Sequence, residues 1–197
     1  MVKRTQNKSA KYNISAASLG VDSTIILVGL MGVGKTTVGR RLAKQLGMDF
    51  VDSDYEIEQA ADMTVGEIFE KYGEEDFRSG ERRVIARLLE GPPQIVATGG
   101  GAFINTETRA LIKSKGISIW LDAEVNILVE RTGRRDTRPL LKDGDPKEIL
   151  SRLSKERSPL YSEADLKIVS SEGSHDQVVH AIIDELKKRH EKMLHNG

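Results

Sequence analysis

The chain has no cysteine among its 197 residues, which excludes disulfides and thiolate metal sites. That absence fits a reducing cytoplasm, the localisation expected here. An excess of either charge is also missing: 30 Lys and Arg balance 30 Asp and Glu. Overall charge therefore gives no argument for nucleic acid or an anionic membrane surface as partner. Aromatic residues are 5% of the chain, too few for the stacking platforms of a nucleic-acid binder. No apolar run approaches the ~20 residues needed to cross a bilayer. The length suits one α/β domain with a real core; a small-molecule substrate and a monomeric state are expectations that rest on the motifs below, not on composition.

The first 21 residues are polar. Lys3, Arg4, Lys8 and Lys11 meet no acidic residue before Asp22, and no apolar stretch follows them, so the segment does not read as a secretory signal. Residues 1–21 are expected to be a disordered tail ahead of a single domain at 22–197. An organelle-targeting segment is the alternative.

What is present begins at Thr24-Ile25-Ile26-Leu27-Val28, a β-branched apolar run that enters Gly29-Leu30-Met31-Gly32-Val33-Gly34-Lys35-Thr36-Thr37. Gly29, Gly34, Lys35 and Thr36 satisfy G-x-x-x-x-G-K-[ST], in the strand–turn–helix context that gives the motif its meaning. Glycines allow positive φ and close approach to a polyphosphate. The backbone N–H groups of Gly32, Val33, Gly34 and Thr37, at a helix N-terminus, offer fixed positive dipoles to anionic oxygens. Lys35 is placed to reach the β/γ-phosphates and the Thr36 hydroxyl to hold Mg²⁺. ATP and Mg²⁺ are the cofactors this predicts; the alternative is a glycine turn before an ordinary helix.

Asp49 to Asp54 reads as a short strand running into a loop. Asp52 and Asp54 are two apart, so both carboxylates share a face while the chain stays extended. In a parallel sheet that face opens on the ligand crevice beside the phosphate loop, although Asp-Ser-Asp is equally good turn chemistry. A helical region then carries Ile57, Val65, Ile68 and Phe69, and Gly73 is expected to break it. A second run, Glu74 to Glu90, puts Phe77, Val84, Ile85 and Leu88 on its apolar side. Arg78 borders that side, with Glu81 one turn on as a holding partner; a surface ion pair is the other reading.

Gln94 to Thr98 is a second buried strand, ending in Gly99-Gly100-Gly101. Bare backbone there suits a ligand or a flexible turn. No Asp closes this strand, so magnesium must rely on Thr36, the nucleotide, water and Asp52. Ile117 to Leu121 is a strand, and Asp122 is expected to cap the next helix. Arg131 to Asp145 is rich in arginine, glycine and turn formers and suits a lid closing over phosphates, or a solvated charged loop. On the following helix, from Pro146, Ile149, Leu153 and Arg157 fall on one row. A guanidinium there needs a partner, either an internal carboxylate or a bound acid. Pro159 is expected to end that helix. Leu166 to Val169 is a last strand, and Gln177 to about Met193 a closing helix. His175, His180, His190 and His195 have no metal-ligand spacing and read as surface residues. The alternation of strand and helix argues a parallel sheet covered on both faces.

Taken together these motifs resemble those of the shikimate kinase family, over about residues 24–186. The resemblance rests on the phosphate loop, Asp52-Ser53-Asp54, Phe77-Arg78 with Glu81, Gly99-Gly100-Gly101, Arg138-Pro139-Leu140, and Arg157 before Pro159-Leu160-Tyr161, in that order. It implies a three-layer α/β/α P-loop kinase fold with a central five-stranded parallel sheet, a substrate-binding region at about 54–90 and a mobile lid at about 132–146. It implies transfer of the ATP γ-phosphoryl group to the 3-hydroxyl of shikimate, with Lys35, Asp54 and Arg138 catalytic. Asp52 matches an acid that supports Mg²⁺ through water, and Asp54 the acid that holds the reacting hydroxyl. Arg78 and Arg157 match the pair that binds the shikimate carboxylate, and Gly99, Gly100 and Gly101 the substrate-facing backbone. Arg138 matches the lid arginine on the phosphates, and Arg131 the one that packs on adenine. Two places depart or go soft: Gly80 lies inside the helix carrying Arg78, and the loop at 170–175 is too variable to assign adenine contacts. The rival readings are a gluconate or nucleotide kinase on the same scaffold, and a non-catalytic nucleotide-binding switch. Arg78 and Arg157 favour a carboxylate acceptor over a nucleobase.

Overall fold

The computed structural model describes residues 14–133, 144–170 and 174–195. Its centre is β1 (Thr24–Val28), in which every residue is buried. A strand covered on both faces needs an unbroken apolar run, which is why this stretch does not alternate. β2 (Asp49–Asp52), β3 (Gln94–Ala97), β4 (Gly116–Asp122) and β5 (Leu166–Val169) complete a five-stranded sheet of order β2-β3-β1-β4-β5. Every pairing is parallel, with Asp52 opposite Ala97, Leu27 opposite Ala97, Val28 opposite Trp120 and Asp122 opposite Val169. That register brings the carboxyl ends of all five strands to one edge. The chain leaves β1 toward β2 and leaves β3 toward β4, in opposite directions, so the crevice of a doubly wound sheet opens between β1 and β3.

The helices are α1 (Lys35–Leu46), α2 (Ser53–Ala61), α3 (Val65–Glu90), α4 (Thr106–Lys115), α5 (Val125–Thr132), α6 (Pro146–Tyr161) and α7 (His175–His195). α1 packs on α7, α3 packs on α4, and α3 and α6 both meet the 3-10 turn Ala102–Ile104. The three-layer α/β/α architecture expected from the sequence is present. A satellite core of Ile57, Ile68, Phe77, Val84, Leu88 and Val96 lies under α2 and α3. Phe77 is 4% exposed, and full burial of such a ring is worth about 1.5–3 kcal/mol. It fixes the helical turn that carries Arg78. Thr64 and Glu67 close a capping box at the start of α3. Gly73 breaks that helix as expected, with φ 82° and ψ 177°. At Gly80 a Cβ would meet nothing within 4 Å, so packing does not require glycine there and nothing in the structure explains it.

Several boundaries differ from the sequence reading. The tail does not extend to residue 21: Leu19 and Val21 are buried in the main core, with a 3-10 turn at Ala17–Leu19. Their apolar side chains are too few to show a period, so polarity dominated the reading; residues 1–13 lie outside those described. Asp122 does not cap α5, whose N-cap is Glu124 with no side-chain bond; Asp122 pairs with Lys167 at 2.9 Å instead. Pro159 does not end α6. It sits in the last turn, and the helix runs on to Tyr161, with Ser162 N–H donating to the Ser158 carbonyl at 2.9 Å. Of the histidines only His195 is exposed; His175, His180 and His190 are half-buried. Among the described residues, no helix is long and apolar enough to cross a membrane.

Candidate active site

The phosphate loop joins β1 to α1. Gly29, Gly32 and Gly34 have φ of 134°, 83° and 97°, a region that side chains rarely adopt. At Gly29 a Cβ would also collide with the Leu121 carbonyl. The N-cap of α1 is Gly34, without a side-chain cap bond, and the first turn holds no acidic residue. The first N–H groups of α1 and its positive dipole end are thus left to an external anion. Lys35 is buried and folds back on the loop, donating to the carbonyls of Gly29 at 2.7 Å and Leu30 at 3.0 Å. The Thr36 hydroxyl donates to Asp52 Oδ2 at 2.7 Å, while Asp52 Oδ1 accepts from the Asp54 N–H at 3.1 Å as the N-cap of α2. Asp52 therefore ties the phosphate loop to the start of α2.

Asp54 comes next on α2. Its Oδ1 is sequestered without a hydrogen-bond partner among the described residues. Burial, with Asp52 and Glu81 nearby, pushes its carboxyl up to about 7, against the opposing pull of Lys35 and Arg78. Glu81 on α3 is 2% exposed and also leaves one oxygen, Oε1, unpartnered. Burial raises its carboxyl too, and Arg78 opposes that rise. Both orphaned oxygens flank Gly99: a Cβ there would lie 2.7 Å from Asp54 Oδ1 and 2.7 Å from Glu81 Oε1. Gly99 N–H donates to the buried Ser53 hydroxyl at 3.3 Å.

The other two glycines carry the arginines. A Cβ at Gly101 would lie 2.5–2.6 Å from Nη1, Cζ and Nη2 of Arg78, so the guanidinium lies against bare backbone. Arg78 is held by Glu81 at 2.8 Å and Glu74 at 3.1 Å, so the holding role expected of Glu81 is present. Arg157 Nη1 donates to the Gly100 carbonyl at 3.2 Å. Its internal partner is a carbonyl, and among the described residues no carboxylate reaches salt-bridge distance of it. The Tyr161 hydroxyl donates to the same Gly100 carbonyl. Burial pushes Tyr161 up to about 12, so it stays a donor at ordinary pH. Sequence reasoning quoted Tyr161 in its motif without giving it a role, because ending α6 at Pro159 hid the i,i+4 row that aims both side chains at Gly100. Gly100 also sits next to the phosphate loop, where its Cβ would lie 3.5 Å from the Met31 amide nitrogen.

On the far side of the loop, Arg131 Nη1 approaches the Val33 carbonyl at 3.5 Å and donates to Ser170 Oγ at 3.3 Å. Lys35, Thr36, Asp52, Asp54, Arg78, Gly99, Gly100, Gly101, Arg131 and Arg157 are thus all at the carboxyl edge of the sheet. Arg138, and most of the expected lid, lie outside the described residues. Among the described residues no group of three or more His, Cys, Asp or Glu could hold a metal ion. Any cation here would lean on hydroxyl, carboxylate and ligand oxygens, which suits Mg²⁺ better than a transition metal.

Comparisons with known proteins identify the family. A family model described as shikimate kinase matches residues 31–187. A shikimate kinase of Caulobacter vibrioides is 52% identical over 167 residues, covering 85% of this chain and 84% of that protein. The structure of an Acinetobacter baumannii shikimate kinase in complex with shikimate superposes with a TM-score of 0.84 at 39% identity, over 88% of this chain and 98% of that one. A gluconokinase from Sinorhizobium meliloti gives a TM-score of 0.62 at 16% identity over 89% and 98% of the two chains, a likeness of fold alone.

Proposed function

This chain belongs to the shikimate kinase family, and we propose how its own residues perform the phosphoryl transfer from ATP to the 3-hydroxyl of shikimate. It is a phosphotransferase with an alcohol acceptor. The observation that carries the choice of acceptor is that Arg78 lies against Gly101 and Arg157 on Gly100, the glycine that also neighbours the phosphate loop. Two guanidinium groups suit a carboxylate through charge-assisted, fork-shaped hydrogen bonds. The rest of shikimate is a ring of hydroxyls, and the unpartnered Asp54 Oδ1 and Glu81 Oε1 are acceptors of the kind such hydroxyls fit.

In this reading the carboxylate fixes the ring, and Asp54 selects one hydroxyl and orients its lone pair toward the γ-phosphorus. As the new O–P bond forms and the bond to ADP breaks, the hydroxyl proton passes to Asp54. An acid with a pKa near 7 is well matched to that transfer. Phosphoryl transfer needs positioning and charge neutralisation more than covalent help from protein. Lys35 leaves its two carbonyls for the phosphate oxygens, Gly32 to Thr37 cradle them, Arg131 is assigned to adenine, and Arg138 is assigned to the phosphates by the resemblance alone. The Thr36 hydroxyl and Asp52, which already meet at 2.7 Å, are the hard oxygen donors for Mg²⁺. When bound, the ion supplies neutralisation of the developing phosphate charge.

Release of ADP from Mg·ATP, followed with shikimate, with gluconate and with no added acceptor, tests this. Release with shikimate alone is expected. Gluconate-dependent release without a shikimate response would move the assignment to the gluconate kinase reading. ATP binding with no response to either acid would favour the nucleotide switch.

A further inference from the structure

His175 opens α7 and lies directly over the phosphate loop. A Cβ on Gly34 would meet its Nε2 at 3.2 Å and its Cδ2 at 3.3 Å, so the edge of the imidazole covers the residue that caps α1. The helix that carries it is tied down one residue later, where Asp176 pairs with Arg41 of α1 at 2.8 Å. The ring is half-buried. No role in the reaction read above uses it.

Among the described residues, its charged surroundings come from α1, α5, α7 and the phosphate loop. Arg131 faces it from α5, Arg41 from α1 and Asp176 from its own helix; Lys35, in the same loop, points at the Gly29 and Leu30 carbonyls. Two guanidinium groups against one carboxylate, together with partial burial, disfavour a second positive charge. The imidazole is accordingly held below its ordinary value, by burial first and then by Arg131 and Arg41. The arrival of a nucleoside polyphosphate reverses that balance. Several negative charges enter a loop whose capping glycine the ring touches, and they outweigh the repulsion that Arg131, Arg41 and the first N–H groups of α1 exert on the ring. An imidazolium beside the phosphates then gains both a charge partner and a second N–H donor.

We propose that His175 is a nucleotide-linked proton acceptor: it takes up a proton when a nucleoside polyphosphate binds, so that nucleotide affinity falls as pH rises. The sign follows from linkage. A group with a higher pKa in the complex than in the free protein binds protons on association between the two values, and tighter binding at lower pH is the same statement. The effect adds to the loop and Lys35 without replacing them. It also makes nucleotide and acceptor respond oppositely to acid, since Asp54 must lose its proton to act.

The inference rests on reading the phosphate loop as the nucleotide site, and the test separates the two. Titration calorimetry of the full chain with ADP, without metal, is run in two buffers of different ionisation enthalpy. The wild type and His175→Gln are compared, so that proton release by ADP itself cancels. The expected difference is uptake of roughly 0.2–1 proton per ADP in the wild type, absent from the variant, with affinity weakening up to about tenfold per pH unit across the window. ADP binding with equal proton balance in both proteins overturns the proposal and leaves the nucleotide site standing. No ADP binding to folded wild type removes both. A histidine proton titration by NMR on the wild type guards against a variant that fails to fold. One of the four imidazoles should shift its midpoint upward with ADP; if none moves, the proposal is wrong.

Discussion

On the β1–α1 side of the cleft, Lys35 is satisfied by two carbonyls of its own loop and Thr36 by Asp52. On the β2–α3–β3 side, Asp54 Oδ1 and Glu81 Oε1 are buried without partners among the described residues, and Arg157 meets a carbonyl rather than an acid. The phosphate half is made of contiguous residues, and its charges are largely backbone dipoles that any polyphosphate can use. The acceptor half draws side chains from α2, α3, the glycine triplet and α6, and leaves polar atoms that water or a hydroxylated acid must satisfy. A buried group with no internal partner is costly unless its ligand has the matching atom. On the proposed reading, discrimination between acceptors therefore belongs to the second half, while affinity for nucleotide belongs to the first.

The sharpest way to break this contrast is to change one half and find that the other responds. Asp54→Asn should lower turnover by about 10²–10⁴-fold while ADP and ATP affinity stay within a few fold, measured by coupled assay and calorimetry. Near-normal turnover would remove the acid from the mechanism, and lost nucleotide binding would show that the halves are not separable. Arg157→Lys comes next. It keeps the charge but loses the fork, and should weaken shikimate binding by roughly 10–100-fold with little change in nucleotide affinity. Unchanged shikimate affinity would make the arginine a clamp for Gly100 only.

The smallest effects are in pH. Shikimate binding to nucleotide-free protein, read from the single tryptophan, Trp120, which packs on Tyr161, should weaken as pH falls through about 7. The same titration predicts a stability change of defined sign. The folded pKa of Asp54 lies above its unfolded value, so the folded state binds more protons from about pH 4 to 7. Its contribution therefore becomes less favourable as pH rises across that window. Asp54→Asn removes that cost and should raise Tm by about 2–4 °C at pH 8, and by less at pH 5. An equal Tm change at both values would show that the carboxyl is not held in its protonated form.

Legibility from sequence divides along the same line. The phosphate loop could be read with all its atoms in order because its partners are local: three glycines at positive φ, a lysine and a threonine within eight residues. Asp54, Arg78 and Arg157 could be proposed from motif order, but nothing in their spacing required them to meet. Leu19 and Val21 were hidden in a polar stretch because two burial sites make no period. Tyr161 was hidden by a proline that α6 accommodates in its last turn, at the loss of the one bond its missing N–H would have made to the Lys155 carbonyl. His175 was hidden because its neighbours, Gly34 and Arg131, are far from it in the chain.

The sequence by itself determined the strand–loop–helix that binds phosphate, the alternation that makes a parallel sheet, and the break at Gly73, all products of short-range backbone preference and periodic burial. Only the tertiary structure decided that two guanidinium groups from α3 and α6 rest on one glycine triplet, that two carboxylate oxygens converge on Gly99, and that an imidazole from α7 covers the phosphate loop. Those meetings depend on strand order and helix docking, which side-chain chemistry along the chain does not encode one segment at a time.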